Sequence, residues 1–393
     1  MTLRTLDELA DLGGARVFVR ADFNVPLDDG AVADDARIAA TLPTIRELRQ
    51  RGASLVLASH LGRPHGKRRS ELSLAPVGDR LTHLLGERVE WVGETTPSTL
   101  PDAPVVLLEN LRVDPGEEAD DPTFAGRLAH LADAYFDDAF GAAHRAHASV
   151  SALPELMLAS GRPAVAGRLM QREVEVLGRL LHEPDRPYVA ILGGAKVSDK
   201  LGVMGSLVDR FDALLIGGAM AFTLIAAEGG EIGTSLCERD RFDDVRATKE
   251  RARERGVLLE VPHDAIVASE ISLKAERRTV PAAEIPRGLM GLDIGPKTVE
   301  EYARIVADAK TILWNGPMGV FELEPFSAGT RGIATAVAHA DAFSVVGGGD
   351  SLLAVKRAEL GERFDHLSTG GGASLEFLEG RDLPGISIVE DHR

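Results

Sequence analysis

The sequence predicts an α/β fold of two doubly wound parallel-sheet units joined by a helix, and three features carry that prediction. Short apolar runs recur with helical stretches between them: Val17-Phe18-Val19, SLVLAS (54–59), RVEWV (88–92), VVLLEN (105–110) and AYFDDAF (134–140) in the first half. The second half supplies YVAILGG (188–194), ALLIGG (213–218), VLLEVP (257–262), TILWNG (311–316), FSVVGGG (343–349) and HLSTGGG (366–372). These runs are continuous rather than alternating, as strands buried on both faces require, and the helices between them imply parallel crossovers. Finally, Leu169 to Leu181 repeats apolar residues at helical spacing and is followed by EPDRP, so it reads as the connection between two such units. The chain is therefore divided near residues 170–185.

Composition bounds what the units can do. At 393 residues with 44% hydrophobic content, the chain can fill more than one core. Lys plus Arg number 44 against 61 Asp plus Glu, a net charge of -17 that argues against nucleic-acid or anionic-membrane partners. Any cluster of positive charge then needs a local reason. The opening stretch MTLRTLDELADLGG has no apolar core of signal-peptide length, and no later run of about 18 apolar residues occurs, so a cytoplasmic location is expected. The single cysteine, Cys237, fits a reducing compartment and has no histidine motif beside it.

The two halves place different groups after their strands. The second half places glycine: GGAK (193–196), GGAM (217–220), NGPMG (315–319), GGGD (347–350) and GGGAS (370–374). Ligands of open α/β sheets bind outside the carboxyl ends of the strands, and so many glycines there are best explained by a ligand that touches backbone. The first half places Arg20, Asp22, Phe23 and Asn24, then His60 and Arg63, then Arg112, then His144 and Arg145. Arginine and histidine gathered at one sheet edge of an acidic chain suggest a small, multiply charged anion. Together the two kinds of site suggest phosphoryl transfer between a compact acid and a nucleotide, with bending at the connection to bring them together and exclude water.

Each reading has a plainer competitor. Lys196 and Lys200 share a face if a helix begins near Ala195, and could then grip one phosphate; the plain alternative is a solvated surface pair. Asp350, after three glycines, could hold Mg2+ on a nucleotide, or could be a helix N-cap. His144 and His147 lack the partners of a metal site, HGKRRS (65–70) reads as a surface loop, and DDG (28–30) as a hairpin turn. No G-x-x-x-x-G-K-[ST], G-x-G-x-x-G or G-x-S-x-G motif occurs, which weakens P-loop, dehydrogenase and serine-hydrolase readings.

RADFNVPL, SHLGRP, LLENLR, DDAFGAAHRAHAS, ILGGAKVSDK, GGAMAFT, GLDIGPKT, WNGPMGVFE, VGGGDS and STGGGASLEFLEG occur in this order from about residue 16 to 385. In these motifs the chain closely resembles bacterial-type phosphoglycerate kinases. The resemblance implies two Rossmann-like domains: a 3-phosphoglycerate domain over 1–170, a hinge helix and linker over 171–185, a nucleotide domain over 186–375, and a segment 376–393 packing back on the first domain. It implies that Asp22, Phe23, Asn24, Arg37, His60, Arg63, Arg112, His144 and Arg145 bind 3-phosphoglycerate. Gly193, Ala195, Lys200, Gly291, Asn315, Pro317, Glu322, Gly348, Gly349, Asp350 and Ser351 would bind ADP or ATP, with Asp350 as the Mg2+ ligand. Arg37, Lys196, Lys200, Gly371 and Gly372 would stabilise the moving phosphoryl group in the glycolytic transfer between 1,3-bisphosphoglycerate and ADP. A cytoplasmic monomer is implied. The alternative is an inactive nucleotide-binding regulator or scaffold on the same fold.

The chain departs from the family pattern at His263 in VPHDAIVA, where the family generally has valine, at Val113 in LRVDPGEE, and in its tail GISIVEDHR. None of these falls on a position given a chemical role.

Overall fold

The computed structural model describes residues 2–9 and 11–391. They divide into two compact units: one runs through Glu175 and includes the segment from Asp382 onward, and the other spans Val176–Arg381. Among the described residues, no helix is long and apolar enough to cross a membrane.

In the first unit six strands form one parallel sheet: β1 (Arg16–Ala21), β2 (Ser54–Ala58), β3 (Val89–Trp91), β4 (Val105–Leu107), β5 (Ala134–Asp138) and β6 (Ala164–Ala166), in the order β3-β4-β2-β1-β5-β6. Val17, Val19, Leu55, Leu57 and Phe136 pack on one face, while Phe18, Val56 and Tyr135 pack on the other, which is why the runs are continuously apolar. Hydrophobic residues on both faces remove the alternation that a half-exposed strand would show. The DDG turn closes a two-stranded hairpin, Leu27–Asp28 against Ala31–Val32, with Asp29 and Gly30 both at positive φ.

The second unit repeats the architecture with β7 (Tyr188–Leu192), β8 (Ala213–Ile216), β9 (Leu258–Glu260), β10 (Thr311–Asn315), β11 (Phe343–Gly347) and β12 (His366–Ser368). Its order, β9-β8-β7-β10-β11-β12, reverses direction between β7 and β10, and all pairs are parallel. A crevice at such a reversal is where open α/β sheets bind ligands. A smaller antiparallel sheet, Asp264–Ala268 with Arg278–Pro281 and Met290–Ile294, stands beside it.

The boundary between the units falls inside the helix Arg168–His182. Its first turn is fixed in the first unit: Arg168 donates to both Asp7 and Glu47 at 2.6–2.9 Å, and Asp138 Oδ1 accepts from Leu169 N at 2.9 Å. Its last turn is fixed in the second, where Arg179 lies 4.0 Å above the Phe343 ring and Arg210 donates to the Leu181 carbonyl. The tail belongs to the first unit: Val389 O accepts from Arg4 N at 2.8 Å, Ala143 O accepts from Gly385 N at 2.9 Å, and Leu383, Ile386 and Val389 are buried.

Candidate active site

At the carboxyl edge of the first sheet, loops are pinned so that charged side chains converge. Glu109 accepts from Leu74 N (2.9 Å), Asn110 N (2.7 Å) and Ser73 Oγ (2.9 Å), and Asn110 donates to the Leu61 and Leu72 carbonyls. Those bonds aim Arg112, whose Nη1 donates to Gly62 O at 3.0 Å while its buried Nε has no hydrogen-bond partner. Asn24 Oδ1 holds the same loop through Gly62 N at 2.9 Å. Asp22 pairs with Arg37 at 2.5 Å, which leaves donors on the guanidinium fork for another oxygen acceptor.

The electrostatics are those of a site short of negative charge. Burial, reinforced by the neighbouring Arg20 and Arg145, pulls the Arg112 guanidinium down to about 10. Burial also holds His60 well below its usual range, so it is neutral. Because Arg20 Nη2 can only donate, its 3.3 Å contact makes His60 Nδ1 an acceptor and places the ring proton on Nε2, a donor for an anion. Burial raises Asp22, but the Arg37 and Arg20 guanidinium groups and the Asn24 N–H outweigh it and leave the carboxyl below its ordinary value. Arg145 donates to His144 at 3.1 Å, and Arg63 is exposed. Phe23 is fully buried in the core and can offer only its backbone, whose N–H is already given to Ser59 Oγ at 2.8 Å.

The sequence marks Arg20 as a strand-end charge, but neither it nor His147 was assigned to the site. Arg20 is fully buried and donates to Ser149 Oγ at 2.7 Å; Ser149 in turn donates to Glu117 at 2.6 Å. Burial, with Arg112, Arg20, Arg145 and His144 nearby, pulls His147 down to about 4. The sequence signal was the same basic spacing that selected Arg112 and Arg145, but Glu117, 32 residues before Ser149, gives none.

In the second unit the crevice between β7 and β10 is built from backbone turns. Gly193 N donates to Asn315 O, Gly194 N to Pro317 O and Gly218 N to Met318 O at 2.9–3.0 Å. A Cβ on Gly193 would stand 2.2 Å from Pro317 O, and one on Gly316 2.1 Å from Gly193 O. Turn packing on turn is therefore enough to require these glycines. Gly349 and Gly371 have open space where a Cβ would lie, so a ligand can reach backbone there.

Beside the turns lies a cavity of about 370 Å³ lined by Ala195, Phe222, Gly291, Pro317, Glu322 and Asp350 among others. Gly291 is needed for its shape, because a Cβ there would meet the Phe222 ring at 1.9 Å. Asn315 and Ser351 lie buried beneath: Ser351 Oγ accepts from Gly316 N at 2.7 Å, and Asn315 Oδ1 accepts from Lys200. Burial lowers Lys200, while Asp199 and Asp350 pull it back up, which places Lys200 in the field of Asp350. Asp293, which sequence reasoning passed over, also lines the cavity and is raised to about 7 by burial.

The two lysines part company. No helix begins near Ala195; it begins at Leu201, with Lys200 at its N-cap. Ser198 N and Oγ bind Glu238 at 3.0 and 2.7 Å, and this tertiary anchor holds 193–200 as a loop. Lys196 is exposed and Lys200 is turned in to Asn315. Nor is Asp350 an N-cap: Gly348, at φ 91, occupies that position, and Asp350 is an exposed carboxylate in the first turn of Gly349–Arg357. Gly371 caps the short helix Gly372–Leu378.

A cluster of arginines around the buried Arg20 and Arg112 on one doubly wound unit, and on the other an apolar slot beside open glycine turns, fit an α/β kinase of small molecules. The sequence profile of the phosphoglycerate kinase family matches residues 6–381. The phosphoglycerate kinase of Salinispora tropica is 53% identical over 99% of this chain and 100% of its own length, and that of Anaeromyxobacter dehalogenans 51% identical over the whole of both. The phosphoglycerate kinase structure from Coxiella burnetii superposes with a TM-score of 0.88 at 41% identity, covering 98% of each chain. The chain belongs to the phosphoglycerate kinase family. It is a phosphotransferase acting on a carboxyl acceptor, with ADP or ATP as co-substrate.

Proposed function

We propose that the first unit binds 3-phosphoglycerate through Asp22, Asn24, Arg37, His60, Arg63, Arg112, His144 and Arg145, and that the second binds ADP or ATP in the Phe222–Gly291 cavity. The reaction is reversible transfer of the acyl phosphate of 1,3-bisphosphoglycerate to ADP. In that direction a β-phosphate oxygen of ADP forms the new P–O bond as the acyl oxygen leaves, so no covalent enzyme intermediate and no general base are needed. The protein's work is to position the reactants and stabilise charge. Arg37 offers its remaining donors and Lys200 its ammonium to the equatorial oxygens, with the Gly371 and Gly372 N–H groups beside them. Arg37 and Lys200 belong to different units, so this reading requires the units to present both to one phosphoryl group.

The donor set fits Mg2+. Asp350 is exposed at the cavity and can give oxygen to a hard cation. Bound there, the ion would neutralise nucleotide phosphate charge. The enzyme is read as a cytoplasmic monomer.

The observation that carries this function is the buried Arg112 guanidinium at the carboxyl edge of the first sheet, its Nε without a hydrogen-bond partner and Arg20 and Arg145 beside it, with Glu117 and Glu118 offsetting them only in part. Such a cluster is stable in an acidic chain when an anion completes it. The test is ADP formation from ATP with and without 3-phosphoglycerate and Mg2+, beside Arg112→Ala. A rate requiring both, with a raised KM for the acid in the variant, supports the reading. A rate indifferent to 3-phosphoglycerate overturns it.

A further inference from the structure

Three side chains with no part in the transfer meet on the second unit. Glu260 ends β9, His263 comes three residues later in VPHDA, and Glu301 lies on the helix Pro296–Ala307. Their potential ligand atoms all lie within 4.8 Å of one another. His263 Nε2 is 2.8 Å from Glu301 Oε2 and 3.6 Å from Glu260 Oε2. Zinc bonds of about 2.0 Å in a tetrahedron place neighbouring donors roughly 3.3 Å apart, a value those two distances bracket.

The three residues are mounted on a cross-linked frame. His263 N donates to Thr298 Oγ1 at 3.0 Å, and its carbonyl accepts from Ala282 N at 3.0 Å. The hydroxyl of Tyr302, next to Glu301, shares its proton between Ile216 O at 2.8 Å and Glu260 O at 3.1 Å. Asp264 accepts from Thr298 N at 2.9 Å and Lys297 N at 3.1 Å, fixing the start of the helix to the segment that carries His263. Ligands held on rigid, hydrogen-bonded elements lose little freedom when a metal enters. Charge points the same way: burial raises the Glu260 carboxyl, Glu301 raises it further, and His263 and Lys249 only partly offset this. Two carboxylates at one imidazole leave negative charge that a cation would neutralise.

We propose that Glu260, His263 and Glu301 form a structural site for a divalent cation of the zinc type, with water completing the coordination. An imidazole nitrogen with two carboxylates suits zinc, whereas Mg2+ prefers oxygen ligands alone and keeps its waters. Pro262 and the strand Met290–Ile294, which leads into the Glu301 helix, both line the 370 Å³ cavity. The ion would therefore tie together two walls of the nucleotide slot without touching the nucleotide.

The test uses the full chain stripped of metal, in excess Mg2+, titrated with ZnCl2 by calorimetry and followed by thermal unfolding. Even outer-sphere partners of a metal are worth ten- to a hundredfold in affinity, so loss of a direct ligand should cost about tenfold or more. Wild type should bind one Zn2+ and melt higher. His263→Val and Glu301→Gln should each lose that binding and the melting shift. Binding equal in wild type and variants, or none in wild type, overturns the proposal. Should the variants fail to fold, zinc-edge anomalous density in zinc-soaked wild-type crystals decides it: density at His263 supports the site, and density only elsewhere overturns it.

Discussion

At the carboxyl edge of the first sheet the polar groups are side chains packed beneath the surface; at the same edge of the second they are backbone turns packed on one another. Arg20, Asp22, His60 and Arg112 are each no more than 5% exposed, whereas Gly349, Asp350 and Lys196 are open to solvent. A compact acid needs an individual partner for each oxygen, and buried forks supply them with fixed direction. A nucleotide offers a ring and a string of phosphates, and a slot beside exposed turns takes both without a dedicated side chain for every atom. One architecture thus serves two ligands through a change in the loops that end its strands.

The strongest way to break this division is Arg37→Ala. Turnover should fall about a hundredfold or more, the usual cost of one charge-stabilising donor, while ADP affinity measured by calorimetry stays within about twofold. A parallel fall in ADP affinity would mean that the two edges do not divide the ligands.

The next comparison lies within the second edge. Lys200→Ala should lower kcat by a factor on the order of a hundred. Lys196→Ala, at an exposed loop position, should lower it no more than about tenfold, as a flexible, screened cation would. Equal losses would mean that the loop 193–200 rearranges when nucleotide binds, and that the Ser198–Glu238 anchor gives way.

Gly291→Ala sharpens the account of the slot. The added methyl meets the Phe222 ring, and the displaced ring should weaken ADP binding by roughly tenfold, within the range for overpacking, with 3-phosphoglycerate binding unchanged. Phe222→Leu in the same chain should recover part of the loss if the ring is the obstacle. Failure to recover would place the effect in the Met290–Ile294 strand itself.

Much of this was legible in the sequence, and the parts that were not share a cause. Eleven of the twelve parallel strands lie under the apolar runs, because burial on both faces writes a continuous signal in the central strands and the half-exposed edge strands Val89–Trp91, Leu258–Glu260 and His366–Ser368 keep enough of it. Ala164–Ala166 was missed because three small residues between Pro163 and Gly167 carry too little of it. Most of the basic cluster was legible as residue type, since His60, Arg63, Arg112, His144 and Arg145 come after strands; Arg20 lies at the end of a strand and Arg37 in the helix Ala36–Gln50. The lysine pair misled because the i, i+4 rule holds only within a helix, and the bond that denies the helix comes from Glu238, 40 residues away. The glycines of 193, 218 and 316 were visible, but their reason was not: a turn that packs on another turn and a turn that touches a ligand demand the same residue.

The smallest effect compares two buried carboxyls, Asp138 in the first unit and Asp293 in the second, each raised by burial to about 7. A carboxyl whose folded value lies above its unfolded value near 3.9 makes the native state the better proton binder between the two. Its contribution is complete below about pH 4 and is lost as pH rises through 7, with a slope of at most about 1.4 kcal/mol per pH unit. Asp138→Asn and Asp293→Asn should each flatten that decline relative to wild type, as read by denaturant unfolding between pH 5 and pH 8. The pair should differ in baseline. Asp138 accepts from Leu169 N and Met170 N through Oδ1 and has the Thr44 hydroxyl beside its carboxyl, so an amide can keep both bonds with its oxygen and turn its NH2 toward that hydroxyl. Asp293 accepts through both oxygens, from Ile294 N at 3.0 Å and Gly329 N at 2.7 Å, and an amide would turn its NH2 against one of them. Asp293→Asn should therefore lower stability at every pH, and a cost as small as that of Asp138→Asn would mean that Gly329 N finds another acceptor.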